Sequence, residues 1–428
     1  MKEDFLHYIW QYKKFDFANL TTTAGEALTI VHSGHYLGQS GPDFFNAQLV
    51  INQQKWAGNV EIHVKSSDWY LHHHQNDNRY DTIILHVVWE HDVPVFRSDN
   101  TEIPVLELKN HVASEIVQNY QNLMQPKSWI NCERHIAQVD SFVFTNWLAR
   151  LFLERLETKS VPVLQLLAQS GNDWEAVLFY GLAKNFGLNT NGEAFLKIAQ
   201  SIPFAVIRKA SFEVENTEAL LLGQAGLLSP QAEDTAAQDL WRRFDYWRQK
   251  YRLQSVVTQP VQFFKHRPDN FPTIRLAQLA MLYHCQQHLF SKLMATKTKE
   301  DLYRVFDVGV SDYWQTHYLI DKASAIKPKK LSRAFIDLLM VNTVIPMQLA
   351  YGKHLGKEVS EAVMTLAETI SPEKNTIIEK FFNFGVKATN AFETQALLQL
   401  KNKYCNHGQC LQCVVGTQLL KQTHVTHH

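Results

Sequence analysis

The chain has 428 residues, too many for one small core, so two or three domains are expected. Apolar residues make up 45% and charged residues 20%, which excludes a largely disordered chain. Lys+Arg and Asp+Glu balance at 42 each, so any attraction to nucleic acid or acidic lipid must come from a local patch.

MKEDFLHYIWQYKKFDF opens as an amphipathic helix over residues 1–16, with Phe5, Ile9 and Trp10 on its apolar face. It lacks the apolar run and cleavage site of a signal peptide. A short strand is expected at 27–32 (ALTIVH), and the glycine-bearing loop SGHYLGQSGPD then delivers Asp43 to the next strand. Strands follow at about 43–51 and 55–65. Ser66, Ser67 and Asp68 are helix-capping residues and predict a short helix or turn from Trp69 to about Gln75. TIILHVVWEH (82–91) is almost continuously apolar, the pattern of a strand covered on both faces. IPVLELK closes the region with a last short strand. The order helix, three strands, helix, strand makes residues 1–111 one α/β domain with a mixed sheet.

From residue 112 to 428 the periodicity is helical, with no strand signal, and a large all-helical domain with a cysteine-rich tail is expected. Its most apolar stretch, AFIDLLMVNTVIPMQLAY, contains Asp337, Asn342 and Pro346. A membrane span needs ~20 predominantly apolar residues, so this reads as a buried core helix, and no membrane partner is expected. In WRRFDYWRQKYR, Phe244, Trp247 and Tyr251 form a core stripe and the basic residues face solvent. HRPDNFP reads as a structured corner.

Strand side chains alternate with period two. Along NVEIHVKS, Val60, Ile62 and Val64 therefore take one face and Glu61, His63 and Lys65 the other, each ~6.5–7 Å from the next. If DFFNAQLVIN pairs with this strand as a hairpin, Asp43 approaches Glu61. Two carboxylates converging beside a basic side chain suit a hard divalent cation, Mg²⁺ or Mn²⁺, and a polarised water. Nearby histidines offer imidazoles for Zn²⁺ or another transition metal. The run His72-His73-His74 would spread around a helix axis, so it is expected mainly at the surface, and His86 is expected as a hydrogen-bonded core histidine.

The tail carries Cys405-x4-Cys410-x2-Cys413, three closely spaced thiols that suit Zn²⁺ or an iron–sulfur cluster. The fourth ligand is either the local His407 or the distant Cys132 in WINCERH. Cys285, on the apolar face of LAMLYHCQQHLF, is expected in the core. Without a secretion signal the expected compartment is the reducing cytoplasm, where disulfides are disfavoured. Lys327, Lys329, Lys330 and Arg333 cluster at a loop and a helix start, where positive charge is unfavourable unless an anion comes there, so phosphate contact is expected.

Pro42-Asp43, followed 18 residues later by Glu61 with basic groups at alternate positions, resembles the PD-(D/E)xK nuclease superfamily, and so does the element order. The resemblance implies Mg²⁺ or Mn²⁺ held by Asp43 and Glu61, and a lysine two residues on that assists the water. Here His63 stands at that position and the lysine is at 65. Either His63 substitutes, or Lys65 serves from one strand step further along, or the fold is a scaffold without catalysis. With Cys132 the tail resembles iron–sulfur-stapled nucleases, although Cys132 follows the α/β core. The whole chain, through GPDFFNAQ, WAGNVEIHVKSSDWYLHHH, YDTIILHVVWEHD, HRPDNFPTIRLAQLA and the cysteine tail, resembles a bacterial family described only as a domain of unknown function. The expected activity is metal-dependent hydrolysis of nucleic-acid phosphodiesters, with the helical domain positioning the polymer. The alternatives are an inactive scaffold for nucleic acid or protein, and a metallohydrolase for small phosphoesters.

Overall fold

In the computed structural model, residues 2–36, 41–124, 128–254, 260–264 and 266–421 are described. Two compact units emerge: Met1–Thr145 with Leu400–His428, and Asn146–Gln399. The sequence reading drew the boundary at residue 111 and left the tail with the helices, whereas the contacts join residues 112–145 and the tail to the α/β unit. Long-range pairings do this: Lys401 Nζ donates to Trp129 O at 2.7 Å and Asn119 Nδ2 to Leu420 O at 3.5 Å.

The first unit opens with helix α1 (Glu3–Gln11), whose Phe5, Ile9 and Trp10 are fully buried. Strands β1 (Leu20–Thr21), β2 (Ala27–His32), β3 (His35–Tyr36), β4 (Phe44–Ile51) and β5 (Gln54–Lys65) follow. After β5 come a single helical turn, α2 (Asp68–Leu71), then β6 (Ile83–Glu90), β7 (Val105–Glu107) and α3 (Ser114–Leu123). The seven strands form one sheet in the order β1-β2-β4-β5-β6-β7, with β3 on β4. It is mixed: pairs up to β4–β5 are antiparallel, while β5–β6 and β6–β7 are parallel. The loop expected to deliver Asp43 is partly strand, since His35 and Tyr36 pair with Phe45 and Phe44; Leu37–Ser40 lie outside the described residues.

β6 is covered on both faces, as its apolar run implies. So is the centre of β5, where Val60, Glu61, Ile62 and His63 are all at most 4% exposed. Glu61 and His63 are therefore not on a solvated face. Strands β5 and β6 approach closely at Gly58, where a Cβ would lie 2.5 Å from Ile84 Cγ2 and 2.7 Å from Thr82 O. Only glycine admits that approach.

The second unit is mostly helical, built on helices such as Trp174–Phe186, Leu188–Gln200, Val214–Gln224, Thr235–Tyr251 and Pro272–Cys285. It is not wholly so: β8 (His317–Leu319) and β9 (Lys322–Ala323) form a small antiparallel hairpin that the sequence reading missed. Phe244 and Trp247 are buried as the stripe predicts. Cys285 is exposed rather than in the core, because it is the last residue of its helix. Among the described residues, Arg333–His354 is the helical run long and apolar enough to cross a membrane, and 67% of its apolar window is buried in the protein. Pro346 has no N–H for the preceding turn, and the helix widens to π form over Met340–Val344.

Candidate functional site

The β4–β5 ladder pairs Phe44 with Val60 and then slips a residue before Ala47, with Asn46 in the left-handed region at φ 55°. Such a bulge re-aims the chain next to it. Here that neighbour is Asp43. Where backbone pairing to β4 ends, the Asp43 side chain replaces it: Oδ2 accepts the Ile62 N–H at 3.0 Å. In return the Asp43 N–H donates to Glu61 Oε2 at 3.2 Å. The two carboxylates expected from the sequence are thus locked side by side by reciprocal hydrogen bonds.

Histidines surround them. His7, on α1, puts Nε2 3.1 Å from Asp43 Oδ2. His74 Nε2 lies 3.3 Å, and His63 Nε2 3.8 Å, from Glu61 Oε1. His63 also meets two other imidazoles, with Nδ1 2.8 Å from His86 Nε2 and Nε2 3.0 Å from His72 Nδ1. Neutral imidazoles satisfy such a chain when every ring donates in the same direction along it. Ligand atoms of His63, His72 and His74 lie within 4.8 Å of one another. His74 stacks on Tyr80 with centroids 3.8 Å apart, which fixes the ring.

The His run enters this cluster because it is not helical. α2 ends at Leu71, and His73 takes the left-handed region at φ 60°. The reversal turns His72 and His74 toward β5 together, where a helix would have spread them apart. His86 is fully buried, as expected, and faces His63 rather than a carbonyl. One acid and one base of α1, Glu3 and His7, were not singled out in the sequence; their i, i+4 spacing on one helix face was the available signal.

The electrostatics follow from burial. Burial and the Asp43 charge push the Glu61 carboxyl up to about 9, against the hydrogen bond from the Asp43 N–H. Burial, reinforced by His86, His74 and His72, drives the His63 pKa far below the ordinary histidine value. Burial also lowers His74 and takes His86 down to about 3. His7 is raised, because its pairing with Asp43 outweighs its own desolvation. A half-buried and a buried acid beside neutral imidazoles form a donor set that would suit a divalent cation, whose charge would relieve the repulsion between the carboxylates.

Lys65 is exposed at the far end of β5, four residues from Glu61, or ~13 Å along a strand. Its backbone N–H caps Asp68, with Oδ2 accepting at 2.9 Å. The structure thus brings Asp43, Glu61 and His63 together and leaves Lys65 apart.

Of the basic cluster in the second unit, Lys329 is 2% exposed and donates to the carbonyls of Trp314, Gln315 and His317. Lys327 pairs with Asp269 at 2.7 Å and Lys330 with Asp307 at 3.0 Å. Arg333 lies over the Tyr303 ring, 5.4 Å from its centroid, while Ser332 caps its helix by accepting the Phe335 N–H. Lys329 therefore answers buried carbonyls, while Lys327 and Lys330 are surface lysines paired with exposed carboxylates. Lys329→Met should cost about 1–3 kcal/mol by leaving buried carbonyls unpaired. Urea unfolding reads it, and a midpoint unchanged within error would deny the lysine that role.

Cys132, Cys405, Cys410 and Cys413 line one cavity in the first unit. His407 is exposed and does not line it, so the distant cysteine, not the local histidine, completes the group.

These features define an α+β protein whose mixed sheet carries a buried carboxylate–imidazole cluster, with a mostly helical second unit. Residues 3–376 match the family model described as "Protein of unknown function (DUF2851)", and the chain belongs to that family. No curated protein and no solved structure matches the chain.

Proposed function

We propose that the α/β unit is a metal-dependent nuclease that hydrolyses phosphodiester bonds of nucleic acid. The observation that carries this reading is the reciprocal locking of Asp43 and Glu61 at the bulged end of a β4–β5 hairpin. A mixed sheet with α1 packed against β5 supports the PD-(D/E)xK resemblance.

Asp43 and Glu61 would hold the cation, with His7 and His74 next to them. Bound there, Mg²⁺ or Mn²⁺ supplies charge to the scissile phosphate and acidity to a water. His63 occupies the motif position of the lysine. Its two ring nitrogens are engaged by His86 and His72, so in place of a lysine's charge it would supply a fixed neutral imidazole that orients the exposed His72 at the site. The reading carries with it a nucleic-acid partner, with the second unit positioning the polymer.

The grouping of His63, His72 and His74 favours a second reading, a transition-metal hydrolase for small phosphoesters. One assay separates the two. Labelled single- and double-stranded DNA and RNA, and p-nitrophenyl phosphate esters, are incubated with Mg²⁺, Mn²⁺ or Zn²⁺. Metal-dependent cutting of a polymer supports the nuclease. Turnover of the small esters alone transfers the site to the second reading. No turnover of either, with no metal bound, leaves a scaffold and overturns both.

A further inference from the structure

All five cysteines are thiols rather than disulfides, and four of them meet in one place. Cys132 comes from the turn after α3; the others come from the tail, more than 270 residues later in the chain. Leu123, Leu400 and Val415 also line their common cavity, so it is largely apolar apart from the thiols.

The surrounding backbone is shaped for this convergence. Two single 3-10 turns, Cys405–His407 and Cys410–Gln412, present the tail thiols, and Gly408 between them takes φ 64°. The next helix, Val414–Lys421, presses on the second turn at Gly416, where a Cβ would lie 2.1 Å from Cys410 O. Asn131, beside Cys132, donates through Nδ2 to Cys410 Sγ at 3.4 Å, the kind of outer hydrogen bond that steadies a thiolate ligand. Lys401, anchored on Trp129 O, favours the charged form of Cys405. Burial and the neighbouring thiols still push Cys405 up to about 12 and Cys132 higher. Four thiols lining one cavity gain little as neutral hydrogen-bond donors, and a cation that binds thiolates would draw their sulfurs together and reverse their cost of ionisation.

We propose that Cys132, Cys405, Cys410 and Cys413 bind a thiophilic metal centre, a zinc ion or an iron–sulfur cluster, that fastens the C-terminal segment to the α/β unit. The centre stands on geometry independent of the Asp43–Glu61 site.

The test uses full-length protein produced with iron and zinc supplied and purified without air. Zinc, iron and acid-labile sulfide are assayed, and X-ray absorption is recorded at the bound metal. The expected result is a metal with four sulfur neighbours at about 2.3 Å. Zinc without sulfide identifies a single ion, and iron with sulfide identifies a cluster; both support the site. The sulfur-ligated metal should persist in Asp43→Asn and in Cys285→Ser, and disappear in Cys405→Ser/Cys413→Ser. Wild-type protein with no sulfur-ligated metal overturns the proposal, whether or not the double variant folds. Full retention of that metal by the double variant overturns it as well.

Discussion

Asp43→Asn should reduce metal-dependent cleavage by ~10³-fold or more, equivalent to about 4 kcal/mol of transition-state stabilisation. The amide keeps the shape of the carboxylate and can still accept the Ile62 N–H, so the β4–β5 junction stays closed. What it loses is the charge beside Glu61 and the pairing with His7. Stability should therefore change little, and relief of repulsion on Glu61 even favours the fold. Glu61→Gln should lose activity to a similar extent. Lys65→Ala separates the candidates for the motif position. An exposed lysine ~13 Å along the strand should leave the rate within about threefold of wild type, while His63→Ala should drop it by ~10² or more. The reverse ordering would return the role to Lys65. Single-turnover cleavage with saturating metal measures all four variants.

Metal-free wild-type protein should lose stability as pH rises from about 6.5 to 9, and Glu61→Gln should lose markedly less. In that window the folded protein keeps a proton on Glu61, pushed up to about 9, that the unfolded chain has already released. The unfolded state binds fewer protons there, so raising the pH favours unfolding, by at most about 1.4 kcal/mol per unit. His7, raised by Asp43, acts in the same direction, since its stabilisation is present at low pH and lost as pH rises through its folded value. Below about 6.5 the sign changes. His63, His74 and His86 are held neutral by burial, so the unfolded chain gains protons first and acid destabilises. Urea midpoints at several pH values, wild type against Glu61→Gln, measure the slope. Saturating Mn²⁺ should flatten the alkaline limb, since a cation keeps Glu61 ionised, and should add about 2.7 kcal/mol at a hundred times its Kd. Identical slopes for the two proteins would mean that Glu61 ionises normally.

The strands of the first unit were legible because their patterns are local. β5 and β6 differ in sequence as alternating and continuous apolar runs, and both form. Asp43 and Glu61 could be paired in advance because a hairpin is the shortest connection between adjacent strands. The histidines were not legible, since the convergence of His72 and His74 depends on one left-handed residue, His73, that no composition rule marks. Nor does alternation say whether the polar face of a strand will be covered, and here α2 and the turn after it cover Glu61 and His63. The β8–β9 hairpin escaped notice because it is two or three residues per strand and turns at Asp321, a non-glycine residue at φ 57°. The assignment of Cys132 over His407 required a pairing across most of the chain.

The first unit takes its residues from both ends of the sequence, with the whole of Asn146–Gln399 between them. On the ribosome this sets an order of events. The sheet and its carboxylates leave the exit tunnel before the segment that packs against α3, with Asn146–Gln399 in between, a delay on the order of tens of seconds at ~5–20 residues per second. During that interval the surface that will receive the tail is bare, and the intervening helices can finish folding before the unit that began first. Until the segment from residue 400 onward emerges, a nascent chain carries a formed sheet with an open flank, a natural substrate for chaperones and proteases.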